Sequence, residues 1–322
     1  MITKKIDHMI RKARCFGLKL YLLKILNILW SYEKQPNKAT WWLWEMRCKE
    51  TYNWLIKHYS YVIERHKNDH IDQTNIEIPR RIWTMWWQGE ENAPEIVKMC
   101  ISSMRMNFDE EVIVLTKDNF RRYVEIPEHI LLKLDQGKMS LTHFSDIIRM
   151  NLLRKWGGCW LDATMLMVDR ISSDVFAMRY YTAKLQKNRT ENISYNEFSG
   201  FLIFEVQGGL LSSFASDFFS EYWKNEDYLI DYFLIDYVTR IAIDHITEFK
   251  KAHDTVPLNN PNINVFPDKL NEAYDEEGFN KLCKETDFFK CTWKKDFQKK
   301  DSTGKDTLYG YLLHKYCHSS LS

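Results

Sequence analysis

The chain has 322 residues, enough for one large domain with a sizeable core, and 45% of them are hydrophobic, as in ordinary globular proteins. Lys and Arg number 45 against 44 Asp and Glu, a formal charge of +1, so no overall positive field argues for nucleic acid as a partner. Seven cysteines, at 15, 48, 100, 159, 283, 291 and 317, include no CxxC pair, which argues against a zinc site or a thiol redox motif.

In chain order, "FGLKLYLLKILNILW" (16–30) is the longest apolar run. Lys19 and Lys24 interrupt it, and it falls short of the roughly 20 residues of a spanning helix. Lys4, Lys5, Arg11, Lys12 and Arg14 precede it, so residues 1–30 read as a basic amphipathic helix able to lie at a membrane surface. The alternative is packing on the rest of the chain or on another subunit. No secretory cleavage site follows this run, and the scattered cysteines fit a reducing cytoplasm. Pro36 should end the first helix, and a second runs through residues 41–67. Residues 1–75 are therefore expected to form a helical extension, and 76–322 the main domain.

The main domain opens with the aromatic strand "RIWTMWW" (81–87), the loop "QGEENAP" and the helical segment "EIVKMCISSMRMN" (95–107). "EVIVL" (111–115) is a second strand, and a helical segment follows from Asn119. This alternation predicts an α/β domain with a mostly parallel sheet flanked by helices. Ser140 is a candidate N-cap, with Leu141, Phe144, Ile148 and Leu152 as the apolar stripe of the next helix, flanked by Ile147 and Trp156. Gly157-Gly158 stops that helix, and "CWLDATMLMV" (159–168) is the next strand. Beyond it, "SGFLIFEVQ" (199–207) reads as a strand, and residues 210–224 and 227–246 as helices. The last 40 residues look lysine-rich and loopy.

Asp146 and Arg149 lie three apart and share a helix surface. By spacing alone they amount to an ion pair worth about 0.3–0.5 kcal/mol. Asp162 sits at the end of a short apolar run, and an acid there needs a partner or a function. Ligands of open α/β sheets lie beyond the carboxyl ends of strands.

The stretch "SDIIRMNLLRKWGGCWLDAT" (145–164) resembles the SD-x-x-R … GG-x-x-x-D-x-D signature of sugar-nucleotide-dependent glycosyltransferases of the Rossmann-like GT-A fold. That group includes the family-32-like yeast-type mannosyltransferases and the clostridial-toxin glucosyltransferases. Among its members the chain is most similar to the capsular polysaccharide synthesis proteins, through "IPRRIWTMWWQGEENAPEIVKMC" (78–100), "HFSDIIR" (143–149), "GGCWLDAT" (157–164) and "YWKNEDYLIDYFLIDY" (222–237), with a weaker echo at "KCTWK" (290–294).

The resemblance implies that Asp146 meets donor-sugar hydroxyls, Arg149 the sugar or its phosphates, and Asp162 the ribose, the sugar or a metal, with these three residues catalytic. The double glycine turns without bulk, bringing Gly158 beside the donor. Trp87-Gln88-Gly89 matches the platform on which the base stacks, and Trp83 is left to the core. Asp236 is a candidate contact for acceptor or donor, whereas Asp231 reads as a surface helix position and His143 as structural.

Thr164 stands where many relatives carry a second aspartate. Mn²⁺ or Mg²⁺ is the implied cofactor, held by Asp162, donor phosphates and water, with Thr164 supplying at most a neutral hydroxyl. The other option is that Lys290, Lys294 and Lys295, beside Trp293, stabilise the leaving diphosphate instead. The implied partners are a nucleotide-sugar, expected to be a UDP-sugar, and a glycan or lipid-linked glycan acceptor. The implied reaction is transfer to a hydroxyl of a growing cell-surface or capsular glycan with retention of anomeric configuration. A degenerate, non-catalytic sugar binder is the alternative that Thr164 supports. A dinucleotide oxidoreductase would need G-x-G-x-x-G after the first strand, where "WWQGEENAP" stands.

Overall fold

The computed structural model describes residues 11–30, 37–70 and 77–318. Two helices come first, α1 (Leu18–Trp30) and α2 (Lys38–His66). Asn37 caps α2, its side chain accepting from the backbone N–H groups of Ala39 and Thr40. Pro36, expected to break the chain between them, and the basic Lys4 and Lys5 lie outside the described residues. Leu55, Tyr59, Val62 and Ile63 of α2 are buried in the core that also holds Trp83 and Phe214.

Next come β1 (Arg81–Met85), α3 (Glu95–Met106), β2 (Glu111–Leu115), α4 (Glu128–Asp135), α5 (Leu141–Trp156), β3 (Gly158–Leu161) and β4 (Met165–Met167). They are followed by β5 (Tyr180–Thr182), β6 (Leu202–Glu205), α6 (Leu210–Asn225), α7 (Leu234–His245), α8 (Thr247–Thr255), α9 (Glu276–Cys283), β7 (Phe288–Lys290) and α10 (Leu308–Leu313). The main sheet has the order β2-β1-β3-β6-β5. β1 pairs parallel with β2 and β3, whereas β6 pairs antiparallel with β3 and β5, so β6 alone runs against the other four. This is a mixed α/β architecture with a mostly parallel sheet flanked by helices.

The structure revises four expectations. Residues 159–168 are two strands, because the chain turns at Asp162, where the N–H of Met165 bonds to the Asp162 carbonyl at 2.8 Å. β4 then leaves the main sheet and pairs antiparallel with β7. The stretch 227–246 becomes helical only at Leu234, because Asp231 turns its carboxylate onto the N–H of Phe233. After Asn119 comes a single 3-10 turn, Phe120–Arg122, before α4. The lysine-rich C-terminal region is not all loop, since it supplies β7 and α10.

Helix α5 begins and ends as its sequence dictates. Ser140 accepts a bond from the His143 N–H, and Gly157 ends the helix at φ 62°. A Cβ at Gly157 would lie 2.6 Å from the Gln207 nitrogen and 2.8 Å from Pro79 Cδ, so both backbone and space demand glycine. The buried stripe starts at Phe144, not Leu141, which is exposed. Ile147, Ile148, Leu152 and Leu153 are fully buried, and α5 packs against α6. A second core, formed by α3, β4, β7 and the C-terminal segments, includes Ile101, Leu166, Phe266, Phe289 and Leu312.

Candidate active site at the seam of the two sheets

Leaving β3, the chain makes a three-residue turn, Asp162-Ala163-Thr164, before entering β4. The Asp162 N–H bonds to the Phe201 carbonyl (3.0 Å), and the Thr164 carbonyl accepts from the Cys291 N–H (2.8 Å). One sheet therefore holds the front of the turn and the other its back, which fixes Asp162 at the carboxyl end of β3.

Two cations and an indole surround its carboxylate. Arg149 Nη2 and Trp160 Nε1 each reach Oδ1 at 3.0 Å, and Lys290 Nζ reaches Oδ2 at 2.7 Å. Burial works to raise the Asp162 pKa, but Lys290 and Arg149 outweigh it and hold the carboxyl below its ordinary value. Arg149 also donates to the Gly200 carbonyl, pairs with Asp146 at 3.3 Å and lies 4.7 Å above the Trp160 ring. The helix arginine thus joins α5, the β3–β4 turn and the strand leading into β6.

Asp146 is positioned from behind. His143 Nδ1 lies 3.3 Å from Asp146 Oδ2, and His143 Nε2 lies 2.9 Å from Trp223 Nε1. An indole nitrogen can only donate, so Nε2 accepts, and the imidazole proton sits on Nδ1, facing Asp146. Asp236, in the first turn of α7, is buried beside Asp146. Burial first, then Asp146, pushes its pKa up to about 8, so near neutrality its carboxyl group is largely protonated and able to donate a hydrogen bond.

Two cavities meet here and share Thr142, Arg149 and Asp162. One, of about 410 Å³, is aromatic, lined by Trp86, Trp87, Gln88, Trp160, Thr164 and Trp293. The other, of about 310 Å³, is rich in acids and amides, with Asp146, Asp236, Asn192, Asn196, Tyr232 and Lys290 on its walls. Tyr232, exposed on the wall of this cavity, has its phenol pKa raised by burial first, then by Asp146, Asp162 and Asp236. Trp86 Nε1 and Arg149 Nε are buried without a hydrogen-bond partner among the described residues.

Of the residues singled out from the sequence, the structure gathers Asp146, Arg149, Asp162, Thr164, Trp87, Gln88, Asp236 and Lys290 around these cavities. Four others stand apart. Gly158 is buried at the start of β3, where a Cβ would lie 2.9 Å from the Arg81 carbonyl oxygen, so what the structure gives it is strand packing, not a place in either lining. Gly89 turns the loop at φ 91° outside the linings. Lys294 is exposed and lines neither cavity, and Lys295 pairs with Asp268. Trp83 is a core residue, donating to the Gly157 carbonyl. Asp231 is buried and bonded to Lys24, not a surface helix position. Sequence reasoning left Trp86 undecided between core and platform, noted Trp293 only as the neighbour of the candidate lysines, and missed Trp160 and Tyr232 as cavity residues, since in a chain with 12 Trp and 17 Tyr an aromatic carries no signal of its own.

The donor set does not suit a divalent cation held by the protein alone. Asp162 already faces two cations, Thr164 offers a neutral oxygen, and no cluster of three or more His, Cys, Asp or Glu with metal-binding geometry occurs among the described residues.

An O-glycosyltransferase, PaGT, of Phomopsis amygdali is 31% identical over 127 residues, covering 36% of this chain and 31% of that protein, so the chain spans about a third of this curated relative. Among solved structures, the PaToxG glycosyltransferase superposes with a TM-score of 0.39 at 13% identity, covering 66% of this chain and 83% of that one. The family described as capsular polysaccharide synthesis protein matches residues 31–312, which include both cavities and the seam between the sheets. The chain belongs to the capsular polysaccharide synthesis protein family.

Proposed function

We propose that the protein is a glycosyltransferase of GT-A type that moves a sugar from a nucleoside-diphosphate donor, a UDP-sugar, to a hydroxyl of a cell-surface or capsular glycan. The observation that carries this reading is the joining of two unlike cavities at one Arg149–Asp162–Lys290 cluster. Aromatic faces suit a base, and a wall of acids and amides suits sugar hydroxyls. The cations between them lie where a diphosphate would bridge the two.

In this reading Trp86, Trp87 and Trp293 hold the base, and Asp146 and the protonated Asp236 bind donor-sugar or acceptor hydroxyls. Arg149 and Lys290 stabilise the charge that develops on the departing phosphate. Of the three aspartates lining the acid-rich cavity, Asp162 is held by two cations, Asp146 by Arg149 and His143, and Asp236 keeps its proton near neutrality, so none of the three stands free to attack the anomeric carbon. Retention then follows from same-face displacement. The acceptor oxygen bonds to the anomeric carbon, the bond from that carbon to the diphosphate breaks, and the acceptor proton passes to the leaving phosphate oxygen. A divalent ion, where used, would arrive with the donor diphosphate and add positive charge beside Asp162.

A thermal-shift panel of nucleotide-sugars tests the reading, because a ligand that binds the folded state alone raises Tm. One nucleoside-diphosphate sugar should raise the Tm of the wild type and not that of Arg149→Ala, and should be turned over when acceptor glycan is added. Binding without turnover would favour the non-catalytic binder, whose best support is Thr164. No shift with any nucleotide would overturn the transferase assignment.

A further inference from the structure

Helix α1 turns an apolar face away from the protein. Leu18 (65% exposed), Leu22 (49%), Leu26 (37%) and Leu29 (63%) are open to solvent. At the helical repeat they fall within an arc of about 80°. Leu20, Leu23 and Asn27, on the opposite side, are buried. Trp42 of α2 is also exposed, and α2 lies against the same helix through the bond from Asn27 Nδ2 to the Leu43 carbonyl (3.3 Å). An exposed apolar helix face of this kind marks an interaction surface.

Two observations say what covers it. The first is charge. The first 30 residues carry seven Lys and Arg against a single Asp, and although Lys19 and Lys24 pair with Glu50 and Asp231, an excess of basic groups is left where the whole chain is balanced. Anionic headgroups complement that excess, and a second copy of the same segment would repel it. The second is position. Lys24 of α1 lies 3.5 Å from Asp231, whose neighbour Tyr232 is exposed at the rim of the acid-lined cavity. From α2, Arg47 donates to the Glu191 carbonyl, next to Asn192 of the same rim. The helices that carry the apolar face thus also hold two walls of that cavity.

We infer that α1 docks on an anionic bilayer and, with the cavity wall on its other side, holds the acid-lined cavity close to the lipid surface, so that the acceptor sugar arrives attached to a lipid. The acceptor half rests on the transferase reading, whereas the docking half does not. No described helix is long and apolar enough to cross a membrane, and the chemistry is that of a helix lying in the interface.

Flotation of the full chain with phosphatidylcholine vesicles, with and without phosphatidylglycerol, tests the docking. Wild type should float only with the anionic vesicles. Leu22→Glu/Leu26→Glu/Leu29→Glu, at exposed positions, should lose about tenfold or more of the bound fraction with unchanged Tm and unchanged UDP binding. Hydrogen exchange on the vesicle-bound protein should show protection at residues 18–30 and at the 227–233 rim. Equal flotation of the triple variant, or protection confined elsewhere, would overturn the inference. So would absence of flotation together with a dimer, seen by sedimentation, that the triple variant dissolves. Absence of UDP binding in wild type would overturn the transferase reading and with it the acceptor half, while flotation and exchange would still decide the docking.

Discussion

Arg149 concentrates more of the site in one side chain than any other residue described above. It holds the Gly200 carbonyl, Asp146 and Asp162 at once, a geometry that needs a planar, forked donor. Arg149→Lys keeps the charge but cannot span the three partners. It should lower kcat/KM by on the order of 10²-fold or more while circular dichroism shows a folded protein. Asp236 makes a different prediction. Its folded pKa stands near 8, above that of an unfolded aspartate, so between those values the folded state binds the extra proton. The stability this group contributes is therefore fully present at acid pH and is lost as pH rises towards 8, by up to about 1.4 kcal/mol per pH unit. Asp236→Asn removes that dependence. Denaturant melts at pH 5 and pH 8 should show the variant gaining on wild type at the higher pH, and a constant difference would refute the assignment.

Among the elements, the β3–β4 turn carries a prediction about metal binding. Its last residue, Thr164, is anchored through its carbonyl to the Cys291 N–H just beyond β7 and lines the aromatic cavity. With Asp162 neutralised by Arg149 and Lys290, the free protein should bind Mn²⁺ weakly, and UDP should strengthen that binding by bringing phosphate oxygens. Thr164→Asp should tighten Mn²⁺ binding to the nucleotide-free protein, since it adds a hard anionic oxygen. It need not raise turnover, because tighter ground-state binding does not by itself stabilise a transition state. Calorimetry on both proteins, with and without UDP, checks this, and tight Mn²⁺ binding by the nucleotide-free wild type would show that other ligands complete a site.

For the whole molecule, the question is whether residues 1–75 fold as a separate unit from 76–322. Leu55, Tyr59, Val62 and Ile63 of α2 are buried in the core that contains the main sheet, and α2 packs on α6 and α7. We expect one calorimetric transition, and Leu55→Ala should lower stability by about 2–5 kcal/mol across the whole of it. Two transitions, with only one displaced by the substitution, would show that the helical extension melts by itself. A shared core also explains how α1 and α2 can hold walls of a cavity whose acids come from α5 and α7.

Much of this architecture was legible in the residues alone, for local reasons. Ser140 as N-cap, Gly157 as helix stop, and the apolar runs of β1, β2 and β6 act within a few residues of themselves, so pattern and turn chemistry suffice to read them. The Asp146–Arg149 spacing likewise follows from helix geometry, and Asp162 stood out as an acid closing an apolar run. What the chain order could not show is which distant groups meet there. That Lys290 lies 2.7 Å from Asp162 while Lys294 faces solvent depends on β7 pairing with β4, a contact across more than 120 residues of sequence. The break of the predicted strand at Asp162 has the same origin, since two sheets with separate cores pull residues 158–161 and 165–167 apart. The protonated state of Asp236 and the orientation of His143 were likewise decided by tertiary burial and by Trp223, because desolvation and a donor-only indole act through space and leave no periodicity to read.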